Sequence, residues 1–354
     1  MKKSFVLPLA FVMLAASCAE GGKTSSNSTP VTSDSSEAGS SVVDSYAPRW
    51  ATPTGAPTLA FYDQGKNENW LSTATPASVI PAAFASNSYD AIVFDGISGL
   101  NLLKKNSDKT KMRFSRWINE LGFYVVSKAH TKEETATWNA SWTVDAFVET
   151  GNSSKAFLNL AKNVWNWGEL TKVGSETGTK TVTFEEGVNQ VAANIASNAF
   201  DFYVVADPVY TNLKGKMGDK LHLIYDLQEE WGKAHEGAKI PSAALFVNSD
   251  SLTAHNVPMN KFLDDTETRI ANLIDNPTVA KEALEKYEAD TAGAENDVEQ
   301  RFGIGAAIVS SLPTLQANNK LGFKKKSDVT DARAYANKFQ SALGAAEFDA
   351  ALFL

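Results

Sequence analysis

The stretch Tyr89-Asp90-Ala91-Ile92-Val93-Phe94-Asp95-Gly96-Ile97-Ser98-Gly99 carries the key to this chain's architecture. Its apolar run, 91–94, is β-branched and aromatic, too short for a helix, and followed at once by an acid and small residues. Such a run predicts a strand buried on both faces, with a helix starting just after it. Working outward, comparable runs recur at 123–126, 144–148, 202–205, 221–225 and 243–247, most of them flanked by helix-like segments. A βαβα order predicts an α/β fold of mainly parallel sheets flanked by helices. One helix is expected to start at Thr183 as cap with Glu186 three residues on, because Val188, Val191, Ala192, Ile195 and Ala199 then share a face. The last third turns helical, with helices expected over 259–276, 278–289 and 306–319 and a final one from Asp328 or Asp331. No tandem repeat is visible.

In open α/β sheets, ligands bind where strands end and helices begin, since unpaired amides at helix N-termini attract polar groups. Four such corners stand out. The first is Pro53-Thr54-Gly55-Ala56-Pro57, between a short strand near Trp50 and a helical run from about Thr58, where the glycine is expected to allow close backbone approach. The second is Asp95-Gly96-Ile97-Ser98-Gly99, and the third is Thr150-Gly151-Asn152-Ser153-Ser154, rich in hydrogen-bonding groups. Asp207-Pro208-Val209-Tyr210 is the fourth. Singly each is weak, because α/β turns are routinely built of Gly, Asp and Ser.

Composition narrows the function. The 354 residues allow about two domains, and 33 Lys plus Arg against 41 Asp plus Glu give a charge of −8 without any long basic run. That balance argues against nucleic acid as a partner. A single cysteine, Cys18, forbids an internal disulfide, and with His130, His222, His235 and His255 scattered there is no zinc-ligand spacing and no metal site is expected. Lys2 and Lys3 followed by an apolar stretch of about a dozen residues read as a secretion signal over 1–17, too short to span a bilayer. It ends Leu14-Ala15-Ala16-Ser17-Cys18, which resembles the lipobox of bacterial lipoproteins, with Ala15 where Leu is commoner. The resemblance implies acylation of Cys18 and membrane attachment through that lipid. Residues 18–48, rich in Ser and Thr, read as a disordered tether reaching on the order of 30 Å. Asn27, Asn139 and Asn152 match the glycosylation tripeptide, a pattern that chance supplies and that a bacterial lipoprotein would not use.

Several segments in order resemble the solute-binding lipoproteins of bacterial ABC importers, in the branch of nitrate, taurine, alkanesulfonate and thiamine-precursor binders. The resemblance rests on Pro53-Thr54-Gly55-Ala56-Pro57-Thr58-Leu59-Ala60, Tyr89-Asp90-Ala91-Ile92-Val93, Gly122-Phe123-Tyr124-Val125-Val126 and Asp201-Phe202-Tyr203-Val204-Val205-Ala206-Asp207-Pro208. Asp226-Leu227-Gln228-Glu229-Glu230-Trp231 and Ile240-Pro241-Ser242-Ala243-Ala244-Leu245-Phe246-Val247 continue it. The chain departs by Asp207-Pro208, where that branch often has Glu-Pro, and in its tail beyond Pro258. The resemblance implies a type II periplasmic binding protein: two α/β lobes, two crossing segments at a hinge, and a ligand in the cleft. On that layout 49–126 plus 245–354 form lobe one and 127–244 lobe two, and an ABC permease with its ATPase is the partner.

The expected ligand site is Thr54, Gly55, Ala56, Tyr62, Asp95, Gly96, Trp117, Trp142, Gly151, Asn152, Ser153, Ser154, Asp207 and Tyr210. Trp50, Trp117 and Trp142 stand near expected strand ends, so aromatic stacking favours a planar heteroaromatic solute such as a pyrimidine or vitamin precursor. Trp165, Trp167 and Trp231 read as packing residues. No Arg lies in any corner, although Arg49 is near the first, so a sulfonate would lack its usual bidentate partner. No catalytic residue or cofactor is expected. Two alternatives stay open: an enzyme on the same fold, for which His130 and His235 carry no supporting motif and no Gly-x-Ser-x-Gly elbow exists, and a lipid-anchored sensor or adhesin.

Overall fold

The computed structural model describes residues 45–147, 149–173, 180–293 and 297–354. The signal segment, Cys18, Asn27, all but the last residues of the tether and Val148 lie outside the described residues. In chain order the body begins β1 (Trp50–Pro53), β2 (Trp70–Thr73), α1 (Pro76–Ser86), β3 (Ala91–Asp95), α2 (Gly96–Lys105) and β4 (Met112–Trp117). It continues with β5 (Phe123–Ser127), β6 (Val144–Phe147), α3 (Asn152–Asn163), β7 (Thr171–Lys172), β8 (Lys180–Glu185) and α4 (Val188–Ser197). Next come β9 (Phe202–Ala206), α5 (Val209–Met217), β10 (His222–Asp226), α6 (Leu227–Ala234) and β11 (Ala243–Asn248). Helices α7 (Ser249–Ala254), α8 (Asn256–Asp275), α9 (Pro277–Thr291), α10 (Val298–Phe302), α11 (Ala306–Ala317) and α12 (Ala332–Ala342) complete it.

The strands form two sheets, ordered β2-β1-β3-β11-β4 and β10-β5-β9-β6-β8-β7. The parallel pairs join β2, β1 and β3 in the first sheet and β9, β6, β8 and β7 in the second. All antiparallel pairs involve the strands by which the chain changes sheets. β4 leaves the first sheet and β11 re-enters it beside β3, while β5 enters the second sheet and β10 is the last strand before the return. Because β5 belongs to the second sheet, the first crossing lies at 118–122, earlier than the expected boundary after Val126, and the second at 239–242 rather than at 244. The crossings are bonded to each other. Ile118 N–H donates to Ala243 O at 2.8 Å, Ala243 N–H donates to Asn119 Oδ1 at 3.1 Å, and Gln228 Nε2 donates to Leu121 O and Ile240 O.

Continuous burial explains why the deciding runs carry no polar alternation: β5, β9 and β11 are buried at every residue. Helices α8, α9 and α11 cover one face of the first sheet, and α4 and α5 one face of the second. Between the remaining faces runs a single apolar cluster that holds Ile92 and Phe94 of one sheet and Val144 and Phe202 of the other, with Trp117, Leu121 and Phe339 also in it. The helix expected from Thr183 starts later. Thr183 pairs with Asp145 inside β8, and α4 begins at Val188 with Gly187 as its N-cap, because the β-branched Thr181-Val182-Thr183 run extends as a strand. The run expected from Thr58 is a short 3-10 turn, Ala56–Phe61.

Candidate functional site

A cavity of about 460 Å³ lies where both sheets present the ends of their parallel strands. Strand-to-helix turns after β1, β2 and β3 wall it from the first sheet, and turns after β6, β8 and β9 wall it from the second. Leu121 and Ser242 of the crossing segments also line it, as do Gly303 and Ile304. Alternating strand and helix directions bring six turns to one place, which is the physical reason such folds bind ligands there. The lobes approach each other at the cavity's edge, where a Cβ added to Gly187 would stand 3.1 Å from Ala74 O.

Asp95 organises the wall between the lobes. Its Oδ1 accepts from Ser98 N–H at 2.8 Å, capping α2, while its Oδ2 accepts from Asn152 N–H at 3.1 Å, at the start of α3 in the other lobe. Two helix N-termini thus converge on one carboxylate, each favouring its charge. Burial nevertheless dominates and raises its pKa above the ordinary carboxylate value. Ser98 Oγ adds a second inter-lobe bond, donating to Thr150 O at 2.8 Å. Asn152 Nδ2 donates to Pro241 O at 2.8 Å, so the third corner also grips a crossing segment.

Asp207 is the second buried acid in the wall, 2% exposed. Its Oδ1 accepts from Thr211 N–H and Oγ1, and its Oδ2 from Tyr124 O–H at 2.8 Å. Lys320 Nζ donates to that tyrosine oxygen at 2.9 Å. Burial raises the Asp207 pKa too, against the lowering effect of these donors and of Lys320.

Of the residues expected in the site, the structure brings Thr54, Gly55, Ala56, Asp95, Gly151, Ser153 and Asp207 to the cavity. The others lie off it. Gly96 accommodates the Trp117 ring, which a Cβ there would strike, and Trp117 itself packs on Phe114 and Tyr335 with its indole N–H donating to Ala332 O. Trp142 packs edge-on or tilted among His130, Trp138 and Phe202, Tyr210 packs on Tyr124 at 4.2 Å, and the Tyr62 hydroxyl accepts from Asn272 on α8. Asn152 and Ser154 turn inward to bond Pro241 O and Phe147 O. Gly55 has φ 105 with open space around a built Cβ, so its role is backbone conformation and not the close approach expected.

Two wall segments escaped the sequence reading: Ala74-Thr75-Pro76 after β2 and Glu185-Glu186-Gly187 with Asn189 and Gln190 between β8 and α4. The second was hidden by reading Thr183 as a helix cap. A Thr-Val-Thr-Phe run followed by two acids and a glycine was the signal for a strand end. Among the described residues, the rings that reach the cavity are Phe94, Phe123 and Phe147, and no Lys, Arg or His lines it.

No protein-family model matches the chain, and no curated protein matches it. Solved structures do. The ligand-binding component of an ABC-type import system from Staphylococcus aureus, described with zinc bound, aligns with TM-score 0.57 at 10% identity, covering 84% of this chain and 90% of that one. An ABC transporter structure from Parabacteroides distasonis aligns with TM-score 0.54 at 14% identity, covering 87% and 98%. A Candida albicans gene product described as exhibiting the generic periplasmic binding protein structural fold aligns with TM-score 0.51 at 12% identity, covering 87% and 93%. At such identities the likeness is one of fold, and the chain has the two-lobed, type II periplasmic binding protein fold that its sequence leads one to expect.

Proposed function

We propose that this protein is an extracytoplasmic solute-binding lipoprotein, anchored by Cys18, that captures a small planar ring compound and delivers it to an ABC permease and its ATPase. The observation that carries this reading is the cavity of about 460 Å³ walled by strand-to-helix turns of both lobes. A pocket of that size suits a small organic solute. Its wall mixes Phe94, Phe123 and Phe147 with polar turns, the make-up that a pyrimidine-like or vitamin-precursor-like ring with a few hydrogen-bonding groups requires. Near the end of the expected tether, Tyr46 O–H donates to Asp90 Oδ1 at 2.6 Å, fastening that segment to the first lobe. The Staphylococcus aureus import-system ligand-binding component and the Parabacteroides distasonis ABC transporter structure share this fold, which supports the reading. Trp117 and Trp142 act as packing residues in this reading, and the phenylalanines take over the stacking role.

The decisive experiment is mass spectrometry of the small molecule that co-purifies with the secreted body, followed by titration of that compound against ligand-stripped protein. A planar solute that raises thermal stability without being chemically altered supports the proposal. Turnover by the purified chain alone would establish an enzyme instead.

A further inference from the structure

We infer that the solute captured in this cavity is an organic cation, recognised by Glu185 and Glu186 at the turn into α4; the inference rests on the reading of the cavity as a solute site. Among the described residues, four carboxylates line the wall, those of Asp95, Asp207, Glu185 and Glu186, and no basic side chain does. Two of them already feel a nearby cation, Asp95 that of Lys155 and Asp207 that of Lys320. Glu185 receives only an amide, Asn194 Nδ2 at 3.2 Å, and among the described residues neither Glu185 nor Glu186 forms an ion pair. An excess of negative charge in a semi-enclosed space is relieved by a positive ligand and worsened by an anion.

The polar atoms left over point to an organic solute. Ser153 and Ser242 line the cavity, are 2% and 8% exposed, and their hydroxyls have no protein partner among the described residues. Hydroxyls left open to the cavity in this way can donate to or accept from polar groups on a ligand. Phe94, Phe123 and Phe147 add apolar faces that hydrated metal ions do not use but that aromatic and cationic nitrogen groups do. The start of α3, where an anion would otherwise sit, is already occupied by Asp95, whose Oδ2 accepts from Asn152 N–H. Together these features fit a flat ring bearing an amidine-like or protonated amine edge.

Benzamidine, benzamide and benzoate share one shape and differ in charge, so they isolate the charge preference. Saturation-transfer NMR and calorimetry at millimolar concentration and neutral pH, on ligand-stripped protein, should rank benzamidine above benzamide and benzoate last. A preference of about tenfold between the two charged probes is expected for one partly screened carboxylate pairing. The double substitution Glu185→Gln, Glu186→Gln should shrink the benzamidine-to-benzamide ratio at least several-fold. Benzoate binding as tightly as benzamidine, or a ratio untouched by the double substitution, overturns the charge inference and leaves the solute-binding reading standing. Failure of all three probes to bind would instead remove both, since the cavity would then accept no ring of this size.

Discussion

Asp95 is asked to do two jobs at once, capping the helix that follows it and holding the first amide of a helix in the other lobe. Replacing it by alanine removes a cap and strands the Asn152 amide, so Asp95→Ala should cost about 1–3 kcal/mol in chemical denaturation. Asp95→Asn, which keeps an acceptor, should cost clearly less. Asp145 offers a test of opposite sign. Buried in β6, it accepts from Asn194 Nδ2 at 2.9 Å through Oδ2, while its Oδ1 has no partner among the described residues, and burial lifts its pKa from 3.8 to about 6. The folded state therefore binds this proton more tightly than the unfolded one. That contribution to stability is complete below pH 3.8 and is lost as pH rises through about 6. Asp145→Asn abolishes the penalty, so the variant should be more stable than the parent by on the order of 1–2 kcal/mol at neutral pH and show no gain in acid. Denaturation curves at the two pH values check it, and an equal gain at both would contradict the burial argument.

Among the elements, the crossing segments depend on one glycine. Gly322, with φ 57, lies against Glu120 so closely that a Cβ would strike the Glu120 backbone, and Glu120 N–H donates to Gly322 O at 2.8 Å. Gly322→Ala combines a strained φ with a backbone clash and should cost about 2–4 kcal/mol, seen as a lowered thermal midpoint. The same scale shows what the sequence revealed. Strands buried on both faces, such as 202–205 and 243–247, announced themselves because central parallel or inserted strands need no polar side. β4 did not, since it is an edge strand that alternates, with Arg113 and Arg116 between its apolar residues. Arg116 is buried and bonds Lys324 O and Glu267, an arrangement that only the later helices complete, and burial lowers its pKa to about 10. Glycine- and acid-rich corners showed where the cavity would lie. The aromatic part of the site was misread because a tryptophan's position near a strand end says nothing about which face of the turn its ring takes: Trp117 goes under α12, and the less conspicuous Phe123 and Phe147 reach the cavity.

Across the whole molecule, some of the bonds between the lobes exist only while the lobes face each other. Ser98 Oγ to Thr150 O and Asn152 N–H to Asp95 are two of them, and the continuous apolar cluster with α12 at its margin supports the hinge side. Hinge opening about the crossing segments would break these polar contacts at the cavity's edge. Ser98 does not line the cavity. Ser98→Ala thus removes about 0.5–1.5 kcal/mol of lobe-to-lobe attraction without touching a ligand, and lowers the ratio of closed to open forms about two- to tenfold. Small-angle scattering of the ligand-free variant should show a larger radius of gyration than the parent. Solute affinity should fall by no more than that same factor, because a ligand that favours the closed form must then supply the missing attraction itself. An unchanged radius together with unchanged affinity would mean that the lobes do not move about these crossings, and the closure mechanism would have to be abandoned.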